Sequence, residues 1–275
     1  MSLPMKEIPL RFKTLLAFYK KSFTKPQYKN FRDFILGLIV SDNKTIQEIN
    51  DCFGRLDQSS LNRFFTQSNW DLRKINDKRI SQIKKYHKLG KGILICDPTL
   101  LHKSGKAMEY VNYHYSGMTK KEELGHFLVN SYFTDGNIEF PVCADFYLRK
   151  EDADEQHPFR TIREICLEQV DYAVKKLSIW LFIADARLYA DFVIQELRSR
   201  GLKYIIGTRI TNNISINGRK RISIEEYLNT LTDKDFEPHF IDGETYFLHT
   251  IEMNERNVGK EKLLISYKDG DEKEI

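Results

Sequence analysis

The sequence predicts an α/β fold: a mixed sheet with elements in the order βββαβαβ, between a helical N-terminal segment and a β-rich C-terminal lobe. Three observations carry this. Two apolar runs, one from Ile93 to Cys96 and one over 179–184, read as buried strands, and each ends on a carboxylate, Asp97 and Asp185. A hairpin signal, Asp135-Gly136-Asn137, joins two alternating segments between those runs. Helical periodicity over 159–177 and 188–200 then interleaves with the last strands, the pattern of βαβ units.

The totals are those of a folded protein. At 275 residues the chain is long enough for a sizeable core and more than one structural unit. Its 41% hydrophobic and 30% charged residues exclude the disordered class. No apolar run approaches the roughly 18 residues of a membrane span, and the N-terminus lacks a signal-peptide core, so a cytoplasmic protein is expected. Cysteines 52, 96, 143 and 166 form no CxxC or close pair and read as reduced thiols. Charge is unevenly spread. Residues 1–90 carry 18 Lys and Arg against 8 Asp and Glu, and the remainder 25 against 31, so a head of +10 adjoins a body of −6. Such a head suits a polyanion, or is simply a solvated basic surface.

The first ninety residues read as helices. Phe12, Leu15, Leu16 and Tyr19 share one helix face, and Phe31, Phe34, Ile35 and Leu38 another, with Gly37 a weak point in the pattern. Ser41-Asp42-Asn43 closes that helix. Thr45 is placed to cap the next, with Glu48 at capping-box spacing, and Ile46, Ile49 and Phe53 carry its apolar face to Gly54. A further start at Asp57 leads into Leu61, Phe64 and Phe65. With Arg55, Arg63, Arg73 and Lys74 around them, these helices fit a helix-turn-helix-like DNA-binding unit or a plain bundle with basic surfaces, and spacing does not choose.

A basic, glycine-punctuated joint over 84–92 precedes the first strand, 93–97, which Pro98 is expected to end. An alternating tract over 110–115 reads as strand. Strands over 126–134 and 138–148 form the hairpin, a charged loop follows to Pro158, and then come helix 159–177, strand 179–185, helix 188–200 stopped by Gly201, and strand 204–208. This order lets the first strand neighbour the fourth, as in the ribonuclease H-like fold. After 208, turn signals at Asn212-Asn213, Asn217-Gly218 and Asp242-Gly243 separate short strands over 246–251 and 262–267. The expected domains are a helical, basic, DNA-binding segment over 1–88, a catalytic core over 89–208 and a β-rich insertion over 209–275.

Two acids at the ends of neighbouring buried strands supply what a two-metal phosphoryl-transfer site needs. Hard octahedral cations, Mg²⁺ or Mn²⁺, suit oxygen ligands of this kind better than zinc does. Each acid has a plainer reading. Asp97 before Pro98 is a common turn pair, and Asp185 is placed to cap the helix that follows. For Lys103, Lys106, Lys120, Lys121 and His102, loop residues are the simpler reading beside phosphate or site contacts. His126 reads as structural, Asp145 as a satisfied rim carboxylate, and Tyr110, Tyr113 and Tyr115 as sheet residues.

FRDFILGLIVSDNKTIQEI, LNRFFTQSNWD, ICDPTLLHKSGK, YHYSGMTKKEE, VCADFYLRKED and FIADARLYADFVIQELRSRGLKYIIGTR, in that order, resemble the DDE transposases of prokaryotic insertion sequences, in the group with a β-rich insertion. The resemblance runs over nearly the whole chain. It implies a ribonuclease H-like catalytic domain, Asp97 and Asp185 as the first two acids of the triad, Mg²⁺ or Mn²⁺, and double-stranded DNA as element end and target, engaged by a homodimer at the nucleoid. The family's third acid, a Glu on a helix after the insertion, often within Tyr-x-x-Arg-x-x-x-Glu, has no match. None of the fourteen tyrosines is followed by Arg three residues on, and Glu252, Glu255 and Glu261 fall in or between expected strands. The expectation is a chain that ends before its third carboxylate and does not cut DNA by itself. Alternatives are a DNA-binding protein without catalysis, or another ribonuclease H-like nuclease such as a junction resolvase or RNase.

Overall fold

In the computed structural model the described residues are 7–53, 58–105, 107–117, 119–216, 218, 220–255 and 257–269. Two compact units divide the chain, Met1–Leu89 and Gly90–Ile275.

Among its described residues the first unit holds five α-helices, α1 (Leu10–Ala17), α2 (Lys25–Val40), α3 (Ile46–Asp51), α4 (Gln58–Thr66) and α5 (Leu72–Tyr86). Local chemistry sets their starts. Thr24 caps α2 in a reciprocal capping box with Gln27, Thr45 accepts from the Glu48 amide, and Asp71 accepts from the Lys74 amide. Glu48 does not complete the expected box. Its carboxylate instead accepts from the amides of Asp42 and Asn43 at 3.1 and 3.0 Å, which fixes the α2–α3 turn. Helices α2, α3 and α4 pack pairwise around Leu36, Ile49, Leu61 and Phe64. Gly37, a weak point by pattern, lies in this core, and a Cβ there would meet Ile49 Cγ2 at 2.3 Å. The expected Gly54 stop, Asp57 start and Arg55 lie outside the described residues.

The second unit is built on a ribonuclease H-like mixed sheet. Its strands are β1 (Gly92–His102), β2 (Asn112–Ser116), β3 (Lys121–Thr134), β4 (Glu139–Tyr147), β5 (Ile179–Ala184) and β6 (Lys203–Ile206), in the order β2-β3-β1-β5-β6, with β4 beside β2 on the outer edge of β3. β1 runs antiparallel to β3 and parallel to β5. The β3–β4 hairpin turns at Asp135, whose carboxylate accepts from the amides of Gly90, Asn137 and Ile138, while Gly136 adopts φ 85°. β1 does not stop at Asp97. It runs through Pro98, because β5 pairs only as far as Cys96 and the remainder of β1 is an edge on that side, where a missing donor is tolerated.

Helices α6 (Ile162–Lys176) and α7 (Asp191–Ser199) follow. The helix expected over 188–200 begins later, after a 3₁₀ turn at Ala186–Leu188 that Asp185 caps. Both crossovers step the same way across the sheet, so right-handed connection places both helices on one face. Leu94, Cys96, Val129, Phe133 and Phe182 fill that interface. The opposite face carries Ile95, Tyr132, Ile183 and Ile205 in register, with Ile205 57% exposed.

The β-rich lobe comprises β7 (Asn213–Ile214), β8 (Ile222–Ser223), α8 (Ile224–Leu228), β9 (Glu237–Ile241), β10 (Glu244–Glu255) and β11 (Gly259–Lys268). It has its own core of Ile214, Ile224, Met253 and Leu263. Asp242 (φ 51°) and Gly243 (φ 88°) make the expected β9–β10 turn, whereas Asn217 lies outside the described residues. The start of β11 is tied to α7 and β6. Arg198 bonds the Val258 and Lys260 carbonyls and the Glu261 carboxylate, and the Tyr204 hydroxyl donates to Glu261. Burial and then the Glu261 bond push the Tyr204 hydroxyl up to about 12. Because the folded value lies above the unfolded one near 10, the stabilisation is complete below about pH 10 and is lost as pH climbs through about 12. Tyr204→Phe is expected to lower stability by about 1 kcal/mol at neutral pH and to flatten the alkaline fall. Thermal melts of both proteins between pH 8 and 11 measure this.

Candidate active site

β1 and β5 bring the two singled-out acids together. Their parallel register pairs Cys96 with Ala184, so Asp97 and Asp185 are the next residues on adjacent strands, which lie about 4.8 Å apart at such a pair. Side chains alternate along strands, so both acids fall on the face of Ile95 and Ile183, opposite α6. Both are exposed just past the last parallel pair of β1 and β5, the side on which open α/β sheets present their sites.

Each carboxylate is oriented by its own chain. Asp97 Oδ2 accepts from Thr99 Oγ1 at 3.0 Å, and Asp185 Oδ1 accepts from the Arg187 amide at 3.0 Å as it caps the 3₁₀ turn. The capping role read from the sequence is therefore real, and it is compatible with a second role. Beneath them, Cys96 of β1 meets Cys166 of α6. That hydrogen bond first, then burial, then the charges of Asp97 and Asp185 push the Cys96 thiol well above its ordinary value. Arg187 leaves this face and stands over the Phe127 ring, 4.9 Å from its centroid.

Gly207, just past β6, sets how close the chain after Asp185 can come. A Cβ there would fall 2.8 Å from the Ala186 nitrogen and 3.3 Å from the Asp185 carbonyl carbon, while its own amide donates to Ala184 at 3.0 Å. Gly207→Ala is expected to force the backbone at Asp185 and Ala186 away from β6 and to lower the melting temperature by several degrees, which thermal melts of the two proteins measure. Sequence reading did not single out this glycine, although a glycine at a strand end signals close backbone approach.

The remaining candidates do not join the pair. Asp145 lies on the α6 face, where Gln169 Nε2 donates to it at 2.8 Å. His126 Nε2 donates to the Glu109 carbonyl at 2.8 Å, and His102 Nε2 stands 3.1 Å from Glu123. Lys120 and Lys121 are exposed, Lys103 is half-buried, and Lys106 lies outside the described residues. Tyr113 and Tyr115 are exposed on β2, and Tyr110 donates to or accepts from His157 Nδ1 at 3.1 Å.

Two carboxylates suit Mg²⁺ or Mn²⁺, which bind through one or two acids and complete their shell with water and substrate phosphate. Among the described residues, no group of three or more His, Cys, Asp and Glu is arranged to hold a metal ion. Among the same residues, no helix is long and apolar enough to cross a membrane.

A family model described as DDE superfamily endonuclease matches residues 18–223, a span that includes both aspartates. The chain is also similar to a probable transposase for insertion sequence element IS701 from Microchaete diplosiphon, 29% identical over 238 residues. That match covers 81% of this chain and 61% of the relative, so the chain spans under two thirds of the relative's length.

Proposed function

The chain belongs to the DDE superfamily of endonucleases, and from that premise we propose that it is a DNA transposase of DDE type in which Asp97 and Asp185 hold the catalytic Mg²⁺ or Mn²⁺. The single observation that carries this reading is the β1–β5 register, in which two acids 88 residues apart follow directly on a paired Cys96 and Ala184. The likeness to a probable insertion-sequence transposase supports the substrate, double-stranded DNA at the ends of a mobile element and at its target. On this reading a homodimer engages that DNA in the cytoplasm, at the nucleoid.

The division of labour follows from the residues. Asp97 and Asp185 would hold the cation; Thr99 and the Arg187 amide orient them; the buried Cys96, Cys166 and Phe182 exclude water beneath them. A cation held by Asp97 and Asp185 would supply Lewis-acid activation of a water or 3′-hydroxyl and charge neutralisation at a phosphodiester. The basic helical unit holds the duplex by its phosphates, so binding weakens with salt.

The test is nicking of supercoiled plasmid carrying the element ends, with Mn²⁺ or Mg²⁺. Cleavage at the ends that stops on chelation is the expected result. Cleavage unaffected by chelator overturns the reading. A second reading, DNA binding without cleavage, is favoured by the lack of a third metal-binding side chain beside the two acids among the described residues. Salt-dependent retention of end DNA without nicking, in either cation, selects it.

A further inference from the structure

Arg187 is the cation nearest in sequence to either acid, and no carboxylate answers it. Its amide donates to Asp185, but its half-buried guanidinium makes no hydrogen bond or ion pair among the described residues. What it meets instead is a ring. The guanidinium carbon stands 4.9 Å from the Phe127 centroid, and Nη2 lies 3.9 Å from where a Cβ on Gly117 would fall. The side chain therefore reaches from the turn after β5 toward the turn between β2 and β3, where Lys120 and Lys121 are exposed. A cation over a ring leaves its N–H donors unspent, and those donors form the fork that grips phosphate with two bonds.

The surroundings favour an anion. Arg149 is two residues past Tyr147, the register partner of Phe127, and its ion-pair partner Glu151 stands 3.7 Å away with its side chain 68% exposed. His114 of β2 packs on Phe127 and Tyr147, with centroids 5.5 and 6.2 Å apart. Burial first, then the charge of Arg149, with His126 and Arg187 adding less and Asp152 opposing, hold that imidazole below its ordinary value. Asp152, the acid of this cluster, accepts from Asn112 Nδ2. Two residues of chain span at most about 7 Å, and successive nucleotides of one strand rise about 3.4 Å. A strand with one phosphate at Asp185 thus brings another within reach of Arg187.

We propose that Arg187, assisted by Arg149, binds a backbone phosphate one or two nucleotides from the phosphodiester held at Asp97 and Asp185, and so fixes where that bond lies. This rests on the reading of the two acids as a DNA-cleaving site and adds the residue that sets the register of the strand.

The test uses the full 275-residue chain. Duplexes carrying an element end, each with one phosphate replaced by an uncharged methylphosphonate, are titrated at several salt concentrations against the parent and Arg187→Ala. One methylphosphonate near the terminal base pair is expected to weaken binding by the parent about tenfold. Arg187→Ala is expected to lose the same tenfold on unmodified DNA, to be indifferent to that methylphosphonate, and to lower the salt slope by about one. Arg187→Lys keeps the charge and is expected to restore the slope but only part of the affinity. Because removing Arg187 uncovers Phe127, melts accompany each variant. Arg149→Ala, whose parent side chain is 33% exposed, is expected to show a smaller loss at the same methylphosphonate without touching the ring. Equal sensitivity of parent and Arg187→Ala to every methylphosphonate overturns the proposal, whatever the melts show, and leaves the cleavage reading standing. Sensitivity that vanishes in Arg187→Ala, in a parent that cuts nothing in Mn²⁺, upholds the phosphate contact and overturns the cleavage reading. A parent with no affinity for duplex at low salt overturns both.

Discussion

Asp97→Asn and Asp185→Asn are each expected to lower divalent-cation-dependent nicking of element-end DNA by about 1,000-fold or more, a loss of about 4 kcal/mol in transition-state stabilisation. Asparagine keeps the shape of the side chain and an acceptor oxygen for the Thr99 hydroxyl or the Arg187 amide, so the local turn survives. What it removes is one of two negative charges where a cation must gather water and phosphate. Both acids are exposed, so neither change leaves an unpaired buried group, and melting temperatures are expected to stay within a degree or two. A rate loss without a stability loss is the signature of a metal ligand. Equal loss of both would mark the aspartates as structural caps.

The second large effect lies in the helical unit. Gly37→Val is expected to destabilise it by about 3 kcal/mol, because the new side chain begins 2.3 Å from Ile49 Cγ2, inside van der Waals contact. α2 and α3 would have to part, which also disturbs α4 behind them. Gly37→Ala tests the same contact more gently, and combining it with Ile49→Ala, which removes Cγ1, Cγ2 and the terminal carbon, is expected to recover part of the loss. A double-mutant cycle by chemical denaturation would show coupling well above 0.5 kcal/mol. Additive losses would mean that the contact between α2 and α3 is not the cause.

Much of the sheet was legible because its signals are local. Apolar runs ahead of Asp97 and Asp185, Asp135-Gly136 at a hairpin and Gly201 at a helix end are each read from a few neighbouring residues. The pairing of the two aspartates was also within reach, since strand order constrains which ends can meet. Other features were not, because they are properties of packing. Pro98 reads as a strand end in the sequence, but β5 stops at Cys96 and leaves β1 an edge there. Gly37 reads as a flaw in a helix, yet Ile49 packs against it, and the strand-end signal of Gly207 does not say that its neighbour is the backbone after Asp185. Glu48 had capping-box spacing, yet its carboxylate found the amides of Asp42 and Asn43.

The most direct measurement is anomalous scattering from crystals soaked in Mn²⁺. Manganese bound between the carboxylates of Asp97 and Asp185, within about 2.0–2.6 Å of their oxygens, is the predicted result, with the peak lost in Asp97→Asn. Manganese at other sites of the same crystal, with both carboxylates bare at saturating concentration, would contradict it.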